Sequence, residues 1–234
     1  MGLLHNVLAI ANLADRTVLF DGSNFDISLD EIELIDDKWV HKMRATAIIM
    51  AGGRSRRMGQ DTAVLEINGT PAIKYVFEQL RLYFDQILVS SNNMEKHSFP
   101  GVKVVPDEVA GKGPLVGIAS ALRVSRNDTN FVIACDIPEV DIDFVRRMIR
   151  ESKGFDAVVP QTKAFQYEPL FAVYKKSILA EIDKAIASGK YRVIAPLENC
   201  KVKYFDLHGD MQLRNLNTMN DYCEFVGKDI NVNI

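Results

Sequence analysis

From Ala45 onward, short runs of apolar, often β-branched residues alternate with amphipathic stretches of helical period, and few architectures accept that order. Runs at 46–50, 86–90, 102–105, 131–135 and 156–159 read as strands, with helices at about 71–83, 114–124 and 141–152. A strand at about 169–174, a helix over 175–188 closed by Gly189, a strand at 201–205 and a last helix at 219–226 complete the series. Such an alternation packs as an α/β fold, a mostly parallel central sheet with helices on both faces. Asn68-Gly69 supplies a turn before the first helix, and Thr70 reads as its N-cap with Pro71 at the first helical position.

The segment before Ala45 has a different character. Residues 1–44 carry a net charge of −4, which leaves +1 for residues 45–234 of the −3 total. Residues 30–37 are acidic and set Ile32, Leu34 and Ile35 within about one helical turn, while residues 17–20 followed by Asp21-Gly22 read as a strand and turn. The organisation expected is therefore an acidic N-terminal extension, 1–44, and one continuous domain, 45–234. The apolar stretch at 3–13 is broken by Asn6 and Asn12 with no Lys or Arg before it, which does not fit a secretory leader.

Composition narrows the partners. A chain that is 47% hydrophobic and 25% charged, with no apolar run near the ~20 residues that span a bilayer, is of soluble globular type. Its net charge gives it no electrostatic motive to hold a nucleic acid along its length. Cys135, Cys200 and Cys223 are odd in number and widely spaced, which fits reduced thiols in a cytoplasmic protein rather than a disulfide framework or a zinc knuckle. His5, His41, His97 and His208 lack metal-ligand spacing and read as surface or loop residues.

A small anion site is where the sequence points. Ile48-Ile-Met-Ala-Gly-Gly-Arg-Ser-Arg-Arg-Met-Gly-Gln-Asp61 is a strand opening into a loop with three glycines and three arginines. Glycine lets backbone N–H groups approach an anion and arginine neutralises it, a combination suited to a di- or triphosphate. Neither Walker A nor GxGxxG spacing is present. Phe131-Val-Ile-Ala-Cys-Asp-Ile-Pro138 sets Asp136 just past an apolar strand, at the end where open parallel sheets collect ligands. A carboxylate there can hold Mg²⁺ against nucleotide phosphates. Asp107 ends another strand, and Gly111-Lys-Gly-Pro-Leu-Val-Gly117 enters a helix whose free N–H groups can face a base or a phosphate.

These blocks resemble the nucleotidyltransferases that make the molybdenum cofactor dinucleotide. Met50-Ala-Gly-Gly-Arg-Ser-Arg-Arg-Met-Gly-Gln-Asp-Thr-Ala-Val-Leu65 is similar to that family's LAGGxSxRMGxDKAxL signature. Val89-Ser-Ser-Asn92, Pro106-Asp107, Gly113-Pro-Leu-Val-Gly117, Cys135-Asp-Ile-Pro138, Glu168-Pro-Leu-Phe-Ala-Val-Tyr174 and Asn215-Leu-Asn-Thr218 follow in the family's order, so the likeness covers about residues 45–228.

The resemblance implies a Rossmann-like nucleotidyltransferase fold and a molybdenum cofactor guanylyltransferase, which joins GMP from GTP to molybdopterin and releases pyrophosphate. It implies Asp136 as the Mg²⁺ ligand and Arg57 beside it as catalytic residues. Gly52, Gly53, Arg54 and Arg57 would cradle the triphosphate, Met50, Ala51 and Thr62 would also border the nucleotide, and Asn92, Asp107 and Gly113 would border its guanosine. Arg192, Asn215 and Asn217 would face the pterin, and a molybdoenzyme or another cofactor-biosynthesis protein would be the partner. Thr62 departs from the pattern, for the family carries lysine there, and a hydroxyl binds a phosphate oxygen without neutralising it. That departure keeps a catalytically weakened binding module open beside the active enzyme, and the same fold would also serve CTP or another phosphorylated acceptor.

Overall fold

The computed structural model describes residues 7–13, 16–21, 32–35, 38–52, 58, 61–161, 166–207 and 213–227. The chain divides into two compact units, Met1–Met43 and Arg44–Ile234. In the first, β1 (Val7–Leu13) pairs antiparallel with β2 (Arg16–Asp21), and β3 (Ile32–Ile35) pairs antiparallel with β4 (Lys38–His41). The helical turn expected around Ile32, Leu34 and Ile35 is thus a strand. Ile32 faces His41 and Ile35 faces Lys38 in register, so pairing with the following residues replaces the local helical bonds.

The second unit follows the strand and helix order read from the sequence. β5 (Met43–Met50) leads through β6 (Glu66–Ile67) and β7 (Thr70–Pro71) to α1 (Ala72–Leu80). Next come β8 (Phe84–Ser90), α2 (Met94–His97), β9 (Lys103–Val105), α3 (Pro114–Val124) and β10 (Thr129–Ala134). The remainder is α4 (Ile142–Glu151), β11 (Ala157–Gln161), β12 (Phe171–Lys175), α5 (Leu179–Ala187), β13 (Val202–Asp206) and α6 (Met219–Val226). One expected cap is corrected. Asn68 and Gly69, both at positive φ, make a two-residue hairpin turn that pairs Thr70 with Ile67. Thr70 is therefore in a strand, and α1 starts at Ala72 after Pro71 with no side-chain cap.

The sheet runs β13-β11-β12-β10-β5-β8-β9. β5 with β10, β8 with β9, and β11 with β13 are parallel, whereas β12 is antiparallel to β10 and to β11. Only residues 162–170 separate β11 from β12, too few for the helical crossover that a parallel return requires.

Alternate strand residues face opposite layers. Ile48, Met50, Val132, Ala172 and Tyr174 pack with Leu115, Ile118 and Leu122 of α3 and Ile182 and Ala185 of α5. On the other face Phe131 meets Phe84 and Phe171, and Phe144 of α4 meets Phe171 and Phe205, with ring centroids 5.0–6.3 Å apart. Both faces are thus covered by helices, and the central strands are buried on both sides. A smaller cluster joins Met58, Ile67 and Ala72 to Leu216 and to Tyr222 of α6. The Tyr222 hydroxyl donates to the Glu66 carbonyl at 2.6 Å, which fixes α6 and the segment before it against the β6–β7 hairpin. Among the described residues, no helix is long and apolar enough to cross a membrane.

Candidate active site

The carboxyl ends of β5, β8, β9 and β10 are stitched together by backbone hydrogen bonds. Ala51 N–H donates to Ser90 O at 2.9 Å, Ser91 N–H to Val105 O at 3.0 Å, and Cys135 N–H to Met50 O at 3.1 Å. This continues the ladder past the strands and brings Met50, Ala51, Gly52, Asn92, Asp107 and Asp136 to one end of the sheet, where the sequence placed them. α3 closes in from beside it at Gly117. A Cβ there would lie 2.5 Å from Ser90 Oγ, 2.9 Å from Asp107 Oδ1 and 3.0 Å from Met50 Cε, so only glycine lets the helix approach so near.

Asn92 and Asp107 lock each other. Asn92 Nδ2 donates to Asp107 Oδ2 at 2.7 Å, and Asp107 N–H returns to Asn92 Oδ1 at 2.8 Å. The pair is presented at the surface with its geometry set before any ligand arrives. Gly113 is the N-cap of α3 at φ 93°, ψ 179°, a conformation open to glycine, with Pro114 at the first turn. Its neighbour Lys112 holds its ammonium 5.3 Å from the centroid of the Tyr191 ring, which brings the 190–193 segment beside the mouth of α3. Arg192, from that segment, is exposed.

Asp61 ends the signature motif as the N-cap of a single 3-10 turn, Thr62–Val64, with Oδ1 accepting from Ala63 N–H at 3.1 Å. Thr62 is buried in that turn. Asp61 Oδ2 lies 3.1 Å from His97 Nε2, and His97 Nδ1 lies 2.7 Å from Ser91 Oγ. His97 is 2% exposed, which corrects its reading as a surface or loop histidine. Sequence reasoning missed it because its partner is 36 positions away and its own surroundings, Asn-Asn-Met-Glu-Lys-His, are polar.

Asp136 is half-buried beyond β10, and burial holds its carboxyl above the usual carboxylate range. Its carbonyl accepts from Leu216 N–H at 2.8 Å, so the 213–217 segment lies against it. Asn215, one residue earlier, donates its side-chain hydrogen bond to Glu168. Glu168 has its carboxyl raised first by burial, against that hydrogen bond, and further by the charge of Asp136. Glu168, which sequence reasoning left without a role although it opens the quoted Glu-Pro-Leu-Phe block, thus joins the candidate site. Asn217 is exposed, and its backbone N–H goes to Asp221, inside the capping box that starts α6. Cys135, next to Asp136, is buried with its thiol pushed far up by that burial, and so is a packing residue rather than a nucleophile. Gly53, Arg54 and Arg57 lie outside the described residues.

Residues 47–201 match the family described as MobA-like NTP transferase domain. The chain belongs to that family. It is 38% identical over 162 residues to a probable molybdenum cofactor guanylyltransferase of Pelotomaculum thermopropionicum, covering 69% of this chain and 78% of the relative. A probable molybdenum cofactor guanylyltransferase of Methanosarcina mazei is 33% identical over 205 residues, covering 78% and 90%. Among solved structures, the molybdopterin-guanine dinucleotide biosynthesis protein A of Archaeoglobus fulgidus superposes with a TM-score of 0.68 at 26% identity, covering 78% of this chain and 97% of that one.

As a MobA-like NTP transferase the chain is a nucleotidyltransferase, an enzyme class that is generally dependent on a divalent metal. Its residues fit such an ion. Asp136 offers a half-buried carboxylate that is costly to ionise alone, and among the described residues no cation pairs with it. Nor do three or more His, Cys, Asp or Glu side chains gather into a complete metal cage among those residues. One or two carboxylates completed by substrate phosphates is how Mg²⁺-type sites are made.

Proposed function

We propose that this MobA-like NTP transferase joins GMP from GTP to molybdopterin, forming the guanine dinucleotide form of the molybdenum cofactor. The observation that carries the reading is its likeness to relatives named molybdenum cofactor guanylyltransferase, together with the family match over residues 47–201, which contain the sheet-end residues Met50 to Gly52, Asn92, Asp107 and Asp136. A phosphate oxygen of molybdopterin attacks the α-phosphorus of GTP, the bond to the bridging oxygen breaks, and pyrophosphate leaves. No covalent enzyme intermediate is needed, so the protein's work is to align two anions and to screen their repulsion.

In this reading Met50, Ala51, Gly52 and Gly53 offer backbone to the triphosphate, and Arg54 and Arg57 neutralise it. Thr62 supplies a hydroxyl there. Asp136 holds Mg²⁺, which when bound screens the α-phosphate and the leaving group. Asn92, Asp107 and Gly113 border guanosine, and Arg192, Asn215 and Asn217 face the pterin. Glu168 fixes the Asn215 amide through the hydrogen bond between them. Thr62 lacks the charge of a lysine, and Arg56, Lys74 and Lys112 are the cations of the sequence that could offset it. The enzyme works in a reducing cytoplasm and hands its product to a molybdoenzyme or to another protein of cofactor biosynthesis.

Pyrophosphate release tests the reading, with molybdopterin, molybdate, Mg²⁺ and either GTP or CTP. Release is expected with GTP, falling by about 100-fold or more in a folded Asp136→Asn variant. Release with CTP in place of GTP would reassign the base. Silence with both, beside a working control enzyme, would favour a binding module in which Thr62 marks lost chemistry.

A further inference from the structure

We infer that His97 is a positioning residue, a buried clasp that anchors the far flank of the glycine- and arginine-rich stretch to the strand that already holds its near flank. The near flank is fixed by Ala51 N–H on Ser90 O at 2.9 Å. The far flank is fixed through Asp61, whose Oδ2 meets His97 Nε2 at 3.1 Å, while His97 Nδ1 meets Ser91 Oγ at 2.7 Å. Ser90 and Ser91 are consecutive, so both flanks of the stretch that begins at Gly52 end on one point of the sheet.

Asn93 N–H donates to Ser91 Oγ at 3.0 Å, Ser91 Oγ shares a hydrogen bond with Nδ1, and Nε2–H donates to the Asp61 carboxylate. Both ring nitrogens of His97 are satisfied in this arrangement. A serine, a histidine and an aspartate in a row suggest a hydrolytic triad, but Ser91 is 2% exposed and its oxygen already accepts from Asn93, so it has no access to a substrate. The row is a fastener. The same turn carries Asn92, locked to Asp107, so the clasp also sets the phosphate side of the site against the guanosine side.

The inference rests on the nucleotide reading for its kinetic consequence but not for its structural one. A flank that is anchored only part of the time reduces the binding-competent fraction, which raises the apparent dissociation constant without changing the chemistry of the bound complex. His97→Gln and His97→Asn separate the two bonds, because the glutamine amide reaches as far as Nε2 and the asparagine amide only as far as Nδ1. Both variants lose one hydrogen bond and are expected to lower the melting temperature similarly. Only His97→Asn is expected to raise the KM for GTP, by about tenfold, with kcat and the KM for molybdopterin changed less than about threefold. His97→Gln is expected to stay within about threefold of the parent on all three.

Limited trypsin digestion supplies the readout that needs no nucleotide. Arg54, Arg56 and Arg57 lie between the two anchors, and cleavage there is expected to be about tenfold faster in His97→Asn than in the parent or in His97→Gln. Equal digestion of the three proteins, or equal KM changes in the two variants, would overturn the clasp. A parent protein that shows the protease difference yet transfers nothing from GTP would support the clasp and count against the guanylyltransferase reading alone.

Discussion

A methyl group on Gly117 meets Ser90 Oγ, Asp107 Oδ1 and Met50 Cε all at 3.0 Å or less, and none of the three can withdraw without loss. Met50 is in the core, Ser90 is buried at the end of its strand, and Asp107 is held by Asn92. Gly117→Ala is therefore expected to destabilise the fold by about 1–3 kcal/mol in urea titrations, the usual cost of overpacking. The displaced Asp107 should raise the KM for GTP more than it changes kcat. Thr62 is the residue at which a gain is expected. Restoring a lysine there adds a charge-assisted contact of about 1.5–3 kcal/mol, so Thr62→Lys should raise kcat/KM for GTP by about tenfold or more. An unchanged value would show that the phosphates are already neutralised from elsewhere.

At the scale of elements, Asp156 ties three segments together. Its N–H and carbonyl pair with Lys201 O and Lys175 N–H, each at 2.8 Å, while its carboxylate accepts from Ser177 Oγ at 2.5 Å and Lys201 N–H at 2.8 Å. The Ser177 hydroxyl, then the Lys201 N–H, hold the carboxyl below the usual range. A depressed folded value means that its stabilisation is present above the unfolded pKa of about 3.9 and is lost as pH falls through the folded one. Asp156→Asn should thus lower unfolding free energy by about 1 kcal/mol at neutral pH, with the gap to the parent closing as urea titrations move below about pH 4.

Most of these elements were legible because strands buried on both faces read as continuous apolar runs, and because Gly113-Pro114 and Ser125 bound α3 sharply. What was not legible was pairing. Nothing local distinguishes residues 32–35 as a strand from one helical turn, and only their partner at 38–41 decides it. His97 with Asp61, and Glu168 with Asn215, meet only through the fold, whereas Asp136 and the signature glycines announce themselves in their own strand ends.

For the molecule as a whole, the division after Met43 sets an expectation for the acidic extension. A chain lacking residues 1–42 keeps β5 entire and should fold and turn over within about threefold of the full chain. Loss of cooperative unfolding on that deletion would make the extension part of the enzyme's own fold. The central claim is that a guanylyl group crosses from GTP to molybdopterin in one displacement at Asp136. Its most direct test is the fate of labelled phosphorus, with GTP labelled in separate reactions at the α and γ positions. The account predicts α label in the pterin product, γ label only in pyrophosphate, and no label on the protein. Label retained on the chain, or a pterin product free of α label, would contradict it.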